Sequence, residues 1–596
     1  MTLPPPAQAR ERNCRMDAKR VLIIGAVALG PKVACRLKRL MPDADVLMID
    51  QDEHISYGGC GMPYFISGDV SDVRELMSTS FHMVRTPEFF EDAKGVRVRP
   101  RTRALSIDRK AKTVRVRDLS TGIEEDLPYD QMVLGMGSLA NKLPIPGGDL
   151  PQVMSLSSLR SAIAIKESIS RGEVDKAVII GAGAIGCEMA EALADLWGIE
   201  TTMVEIADQV LPVILDPSLA RMVQKHMEEK GVTIHLDEMV REIKAENGET
   251  ALRVVTSKRE IGADLVISAI GVRPNSQLAR EAGLLVSPRG GITVNQRLQT
   301  SDPDIYAGGD CIEVPHLVTG KPVFFPQGSL ANRQGRVIGT NLAGGFATFK
   351  GVVGSFSIKI FDLAVSATGI PLAMARREGI DAMHAFVVQA DRAHFYPTQD
   401  LMYLLLTVDR KTRRILGAQG VAANGDALVG RINSIAGMLP FHATLDDLSN
   451  LEVAYSPPYA SALDIVNAAA NTAENILDGY NRPMDVDEFE RCFLDEKADD
   501  TVCLDVRGPA NAAPFVARFG DRWINIPQET LQARMAEVPR DRRLVLVCNS
   551  GVRSYEAMRQ LENAGICRTA NLQGGVAALK KTGMIQLEEA REESGE

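Results

Sequence analysis

The chain has 596 residues, 45% hydrophobic and 24% charged, a composition of ordinary globular domains, and at about 150 residues per domain it divides into roughly four. A formal net charge of -10 and a pI near 5.5 argue against broad binding to nucleic acid or to an anionic membrane. Nine cysteines without paired spacing do not make a disulfide framework, which places the chain in a reducing, cytoplasmic compartment.

The first residues, 1–19, are rich in Pro, Arg and Ala and read as a disordered tail, neither signal peptide nor membrane span. No later run reaches the roughly 18 apolar residues that a transmembrane helix needs. Val21-Leu22-Ile23-Ile24 is a buried-strand run, followed by Gly25-Ala26-Val27-Ala28-Leu29-Gly30, a helical pattern through Leu40, and a second apolar run, Val46–Ile49, that ends in Asp50. Strand, glycine turn, helix, strand and acid is the layout of a dinucleotide-binding unit, although Val27 takes the place of the middle glycine.

The stretch Ser56-Tyr57-Gly58-Gly59-Cys60-Gly61-Met62-Pro63-Tyr64 sets a lone cysteine between glycines and before a proline. The glycines let backbone approach a flat ligand closely, and the proline stiffens the turn, which is how a thiolate is held against a cofactor. The dinucleotide layout then recurs complete. Ala177–Ile180 leads into Gly181-Ala182-Gly183-Ala184-Ile185-Gly186, a helix through Leu196, and Thr201–Val204 ending in Glu205. No arginine follows in Ile206–Gln209, so a 2′-phosphate meets a carboxylate without a counter-charge, which favours NADH over NADPH. Two such units suit one FAD and one nicotinamide site. Downstream, Asp264–Asn275, with Gly271, is a strand running into a turn at a crossing between domains, and Thr300–Asp310 is a loop and short strand closing on Gly308-Gly309-Asp310.

After Asn475 the pattern breaks at the polar turn Asp478–Pro483. A new unit follows, with Thr501–Arg507 and then Arg543–Val547 running into Cys548-Asn549-Ser550-Gly551-Val552-Arg553-Ser554. Inward-pointing loop amides make an anion cradle, and with Arg553 and the helix N-terminus they depress a cysteine pKa. Four residues separate Cys548 from Arg553, a ring that suits a sulfane sulfur better than a phosphate. Cys14, Cys35, Cys187, Cys311, Cys492, Cys503 and Cys567 carry no motif and read as packing or surface residues. The eight histidines show no metal-ligand spacing, and no metal is expected.

From about residue 20 to 475 these motifs resemble the pyridine nucleotide-disulfide oxidoreductase family, and about 485 to 585 resembles a single rhodanese domain. The resemblance implies an α/β fold of two Rossmann-like domains for FAD and NAD, an α+β dimerisation domain, and a C-terminal α/β rhodanese domain. The divisions would be a first FAD part at 20–150, an NAD part at 151–272, a second FAD part at 273–345, dimerisation at 346–475, a linker at 476–486, rhodanese at 487–585 and an acidic tail at 586–596. It further implies FAD contacts at Gly25, Gly30, Asp50, Gly309 and Asp310, and nicotinamide-side contacts at Gly181, Gly183, Gly186, Glu205 and Gly271.

Cys60 has no partner cysteine, since Ile55 and Phe65 stand five residues to either side, so it cycles alone as a sulfenate, mixed disulfide or persulfide. The loop around it is similar to that of coenzyme A disulfide reductases and NADH-dependent sulfur reductases, which implies coenzyme A as a ligand and Ser56 on the substrate side. Lys32, Arg36, Lys38 and Arg39 are close enough along one helix for several to share a face and hold phosphates, and the resemblance singles out Lys38 and Arg39. It also implies a homodimer, with Tyr396 and Tyr455 near the redox thiol, one of them from the partner. In the rhodanese unit it makes Cys548 and Arg553 catalytic, with Asp505, Arg507 and the loop from Asn549 to Ser554 holding the sulfur substrate. The reading is therefore an NADH-dependent reductase of coenzyme A disulfide, coenzyme A persulfide or polysulfide with a fused sulfurtransferase. An NADH oxidase or peroxidase cycling a Cys60 sulfenate, and a flavin redox sensor with a rhodanese docking module, remain as alternatives.

Overall fold

The computed structural model describes residues 18–246, 251–494 and 500–585. The acidic tail and residues 1–17 of the N-terminal tail lie outside them, as does Cys14.

The first unit is built on β1 (Arg20–Ile24), α1 (Leu29–Leu40), β2 (Asp45–Ile49), α2 (Met62–Ser67), β3 (Arg97–Arg99) and β4 (Gln131–Leu134). Val21 to Ile24 are all buried, as a central parallel strand covered on both faces requires. The second repeats the plan, with β5 (Val153–Met154), β6 (Lys176–Ile180), α3 (Ala184–Ala194), β7 (Glu200–Val204), α4 (Pro217–Glu229), β8 (Thr233–His235) and β9 (Leu265–Ser268), ordered β8-β7-β6-β9-β5 and all parallel. The chain then returns to the first unit, where β10 (Ile305–Ala307) completes the parallel order β10-β4-β1-β2-β3 and α5 (Gly328–Leu342) packs along α1. The two passages between units, Ser138–Ala140 and Val272–Pro274, pair antiparallel.

The third unit is an antiparallel sheet of β11 (Phe356–Ile360), β12 (Leu363–Gly369), β13 (Ala382–Ala390), β14 (Leu401–Asp409) and β15 (Ile415–Ala422), ordered β11-β12-β15-β14-β13 and backed by α6 (Ile465–Leu477). The fourth is a parallel sheet of β16 (Pro483–Met484), β17 (Thr501–Asp505), β18 (Trp523–Asn525), β19 (Arg543–Val547) and β20 (Thr569–Leu572), ordered β16-β20-β19-β17-β18, with α7 (Val552–Asn563) and α8 (Gly575–Lys581). Pro483 and Met484 fall within the stretch read from sequence as linker, yet they form the edge strand beside Asn571 and Leu572. A proline is tolerated at a sheet edge, and Met484 is fully buried there.

Two contacts fix the arrangement. Along α5, Gly335 and Gly339 let the helix close on α1: a Cβ at Gly339 would lie 2.8 Å from both the Arg36 Cβ and the Val33 carbonyl oxygen. The fourth unit sits on the edge strand β13, where the Phe386 amide donates to Gln573 Oε1 at 2.8 Å. One apolar core runs through this junction, joining Val223 and Met227 of α4, Phe386 and Tyr403 of the third sheet, and Phe489, Val576 and Leu579 of the fourth unit. Arg221 adds an ion pair to Glu490 at 2.8 Å. We expect Gly339→Ala to destabilise by about 1–3 kcal/mol despite alanine's better helix propensity, because the added methyl overpacks a rigid contact. Denaturant midpoints compared with Arg336→Ala on the same helix check this.

Candidate active site

Each glycine loop is held by the acid that ends the next strand. The Asp50 carboxylate accepts from the Ala26 amide at 2.8 Å and the Asp52 amide at 2.9 Å, while Glu205 accepts from Ala182 at 2.6 Å and Ala207 at 2.9 Å. Gly25 and Gly181 take the left-handed φ of +111° and +103° that these turns require. A Cβ on Gly30 or on Gly186 would stand 2.0 Å from the carbonyl oxygen of Gly25 or Gly181, so only glycine lets the helix leave so close to its strand. Around Gly183 a Cβ would meet nothing within 4 Å, an open cradle that fits a pyrophosphate. Val27 occupies the corresponding place in the first loop.

Cys60 is carried to the first loop by its neighbours. The Ser56 amide donates to the Ala26 carbonyl at 2.8 Å, with Ser56 buried and strained at a φ of +51°, and the Gly58 amide donates to Leu76 at 2.9 Å. Cys60 then lies exposed in the short turn Gly59–Gly61. Its sulfur faces the start of α5, 3.7 Å from where a Cβ on Gly328 would be. The preceding residue ties this point to Asp310, whose half-buried carboxylate accepts from the Gln327 amide and from Ser138 Oγ at 3.3 Å. Burial pushes the Asp310 carboxyl up. Asp310, the α5 N-terminus and Cys60 thus form one site although they are distant in sequence. All eight described cysteines are free, and burial pushes the thiols of Cys35, Cys187, Cys311 and Cys503 up, which makes them poor nucleophiles beside the exposed Cys60.

Two further titratable groups, Tyr64 at the end of the cysteine stretch and Glu188, which carries no motif, lie near one another. Burial, with the charges of Glu188, Glu191, Asp69 and Cys60 around it, pushes the Tyr64 phenol up to about 12. Burial together with Glu191 pushes Glu188 of α3 up to about 7. Only the tertiary contact between α2 and α3 brings them together.

The basic cluster of α1 divides. Lys38 is turned onto the carbonyls of Pro42 and Ala44, the latter at 2.9 Å, so it closes the turn after its own helix. Both Lys38 and exposed Arg39 sit in the last turn, about 14 Å by helical rise from the end of α1 that faces the glycine loop. Lys32 and Arg36 instead lie along α5, where Arg36 Nε donates to Thr340 at 3.1 Å and the stem of Lys32 crosses Gly335. Asn332 and Arg336, on the same stretch of α5, are exposed. The sequence held no motif for these two.

In the fourth unit, β19 delivers Cys548, only 1% exposed, to a loop that closes on its sulfur: the Gly551 amide donates to Sγ at 3.1 Å and Ser554 Oγ donates at 3.3 Å. Asn571 holds the loop through the Gly551 carbonyl at 3.1 Å, and the amide of Val576 at the start of α8 donates to the Cys548 carbonyl at 2.9 Å. Asp505 is fully buried, accepts from Trp523 Nε1 at 3.0 Å, and receives the Arg507 guanidinium as a fork, with Nη2 at 2.6 Å. Arg553 stands half-buried at the start of α7.

A cavity of about 980 Å³ opens between the third and fourth units. Asn549, Ser550, Val552 and Arg507 form one wall, and Tyr455, Phe395 and Leu401 the opposite one. Tyr396 stands close by, with Arg392 over its ring at 5.9 Å. Cys60 of the same chain does not line this cavity, so within one chain Tyr455 meets the Cys548 loop and not the Cys60 turn.

The family model "pyridine nucleotide-disulphide oxidoreductase" matches residues 19–322, and that family's dimerisation domain matches 355–466. The NAD(P)H sulfur oxidoreductase (CoA-dependent) of Pyrococcus furiosus is 34% identical over 449 residues, which is 75% of this chain and 98% of that protein. The solved NAD-dependent persulfide reductase from A. fulgidus is 38% identical with a TM-score of 0.88, covering 94% of this chain and 99% of its own. Reduced Bacillus anthracis CoADR-RHD is 32% identical with a TM-score of 0.85, covering 96% and 99%. The chain belongs to the pyridine nucleotide-disulphide oxidoreductase family, and its cofactors are FAD and a nicotinamide dinucleotide.

Proposed function

We propose that this is an NADH-dependent flavoenzyme that reduces coenzyme A persulfide, coenzyme A disulfide or polysulfide at Cys60, acts as a homodimer, and carries a rhodanese sulfurtransferase centred on Cys548. The observation that carries the reading is the exposed thiol of Cys60 facing the start of α5, one residue after the Gln327 amide that Asp310 holds. The names of its relatives, with NAD(P)H, coenzyme A and persulfide among them, supply the substrate class.

Gly25, Gly30, Asp50, Gly309 and Asp310 would hold FAD, and Gly181, Gly183, Gly186, Glu205 and Gly271 the nicotinamide dinucleotide. NADH is preferred over NADPH because Glu205 and Asp208 repel a 2′-phosphate and Ile206–Gln209 supply no arginine. Bound FAD supplies the route by which two electrons pass from NADH to the Cys60 site. Lys32 and Arg36, whose stems lie against α5, and exposed Arg336 and Asn332 of that helix would hold the phosphates of coenzyme A, with Ser56 on the substrate side, while Lys38 donates to backbone carbonyls.

The Cys60 thiolate attacks the outer sulfur of a coenzyme A persulfide, which forms a Cys60 persulfide and releases the coenzyme A thiolate. Two electrons then break the Cys60 S–S bond and give the Cys60 thiolate and hydrosulfide, which keeps the persulfide's own proton. With coenzyme A disulfide the same attack forms a mixed disulfide, and its reduction releases the second coenzyme A thiol. Tyr64 remains protonated at neutral pH and supplies the donor for the leaving sulfur, and Tyr396 and Tyr455 would play that part from the partner subunit. At Cys548 the sulfur is held by the Gly551 amide and Ser554, with Arg553 at the helix start and Arg507, fixed by Asp505, facing the shared cavity.

NADH consumption measured side by side with oxygen, peroxide, coenzyme A disulfide and coenzyme A persulfide tests the reading. The two sulfur substrates should dominate, and Cys60→Ser should lower their turnover at least about 10³-fold, since the reading gives the reductase half-reaction no other nucleophile. Fast oxygen or peroxide turnover without a response to the persulfide would instead make the protein a sulfenate-cycling oxidase.

Glu188 gives a stability prediction whose sign is fixed. Its proton is held to about 7 in the folded chain against 4.5 for the ordinary carboxyl, so between these values the folded state binds more protons than the unfolded state. Its contribution is complete below pH 4.5 and is lost as pH rises through about 7. Urea midpoints from pH 5 to 8 should therefore fall less with rising pH in Glu188→Gln than in the parent.

A further inference from the structure

The stretch after Glu205, Ile206–Gln209, supplies no lysine or arginine for the 2′ position of a dinucleotide. The fold brings two cations there from further along the chain. After β8 comes a three-stranded antiparallel excursion, Val240–Glu246, Ala251–Thr256 and Glu260–Ala263, before the return to β9. The turn between its last two strands, which carries Ser257, Lys258 and Arg259, folds back on the end of the parallel sheet where Glu205 stands.

Hydrogen bonds fix that placement. The Glu205 amide donates to the His235 carbonyl at 2.9 Å, the Glu238 amide to the Glu205 carbonyl at 3.0 Å, and the Asp237 amide to the Ala207 carbonyl at 2.9 Å. Backbones paired in this way lie about 4.8 Å apart. The turn then grips the outer of the two stretches. The Ser257 amide donates to the Met239 carbonyl at 2.8 Å, and Ser257 Oγ accepts from the Met239 amide at 3.2 Å. Lys258 Nζ donates to the Leu236 carbonyl at 3.4 Å, and Arg259 Nε donates to the Glu238 carboxylate at 3.1 Å. Thr256 Oγ1 accepts from the Lys258 and Arg259 amides at 3.1 and 2.9 Å, so the turn has a fixed shape of its own.

Two further features mark this end of the sheet as the adenosine side. Ile206 and Met239 directly follow the paired Glu205 and Glu238, and they are 63% and 50% exposed. Large apolar side chains left open on neighbouring stretches of backbone suit the faces of an adenine ring. The charges around them are of both signs. Glu205, Asp208, Asp237 and Glu238 are the acids, but Glu238 is buried and engages Arg259, whose own side chain stays 46% exposed. Among the described residues, Lys258 has no carboxylate partner.

We propose that the turn Ser257–Arg259 is the specificity element for the 2′ position of the dinucleotide, with Lys258 and Arg259 attracting a 2′-phosphate that Glu205 and Asp208 repel. The site then takes NADPH as well as NADH, and its preference for NADH is a balance of opposed charges and not an exclusion. The proposal rests on the reading of the second unit as the nicotinamide dinucleotide site.

The test uses the full-length FAD-loaded protein and reads binding first, by calorimetry with adenosine 2′,5′-bisphosphate and with 5′-AMP. In Lys258→Glu the Kd of the bisphosphate should rise about tenfold and that of 5′-AMP less than about twofold, and salt should weaken the parent's hold on the bisphosphate more than on 5′-AMP. Lys258 makes no ion pair, so its reversal leaves the Glu238–Arg259 pair in place and tests charge and not folding. Anaerobic flavin reduction gives a second readout: the ratio of kcat/KM for NADH over NADPH should rise about tenfold in the variant, through the KM of NADPH. Equal shifts for the bisphosphate and 5′-AMP, or a bisphosphate Kd that the reversal leaves unchanged, would overturn the assignment. Failure of the parent to bind either nucleotide would remove the nucleotide site itself, and the proposal with it.

Discussion

The point on which this structure turns is the start of α5. The half-buried Asp310 carboxylate accepts from the Gln327 amide, and the next residue, Gly328, faces the Cys60 sulfur. Gly335 and Gly339 then hold the rest of the helix against α1, which itself begins at the first glycine loop. A carboxylate, a helix and two close glycine contacts thereby align a thiol with a nucleotide site. An exposed cysteine in so short a turn has little packing of its own to define its place, and the geometry comes from the elements that surround it.

The second constraint is the seating of the fourth unit on an open sheet edge. An edge strand presents unpaired amides and carbonyls that invite association, and β13 answers this by donating to Gln573 and burying Phe386 under Gly574. The Cys548 loop lines the same cavity as Tyr455, with Cys548 itself enclosed and Asn549 and Val552 open to solvent. A continuous apolar core across the junction means that the unit is not a loosely tethered appendage. Sulfur chemistry benefits from that enclosure, because a persulfide held on loop amides is shielded from stray thiols.

Much of this was legible in the sequence because it is local. The two glycine loops, their strands and the acids after them depend on turn geometry within some 30 residues, and the lack of a second cysteine near Cys60 can be read directly. What was not legible depends on contacts between distant segments. The sequence reads Lys38 as a phosphate ligand and cannot show the Pro42 and Ala44 carbonyls to which it donates, and Arg336 carries no motif at all. Tyr64 and Glu188 gain their proton-holding character from an interface between the first two units. Pro483 read as linker because a two-residue edge strand leaves no periodic signal.

The most direct test of the central claim is mass mapping of sulfur on Cys60 in a single turnover with coenzyme A persulfide. Without NADH, the account expects one extra sulfur, or one coenzyme A in disulfide linkage, on Cys60, and on adding NADH that adduct should vanish with one equivalent of hydrosulfide or coenzyme A released. An oxygen adduct at Cys60 in place of sulfur, or persulfide reduction with Cys60 unmodified throughout, would contradict it.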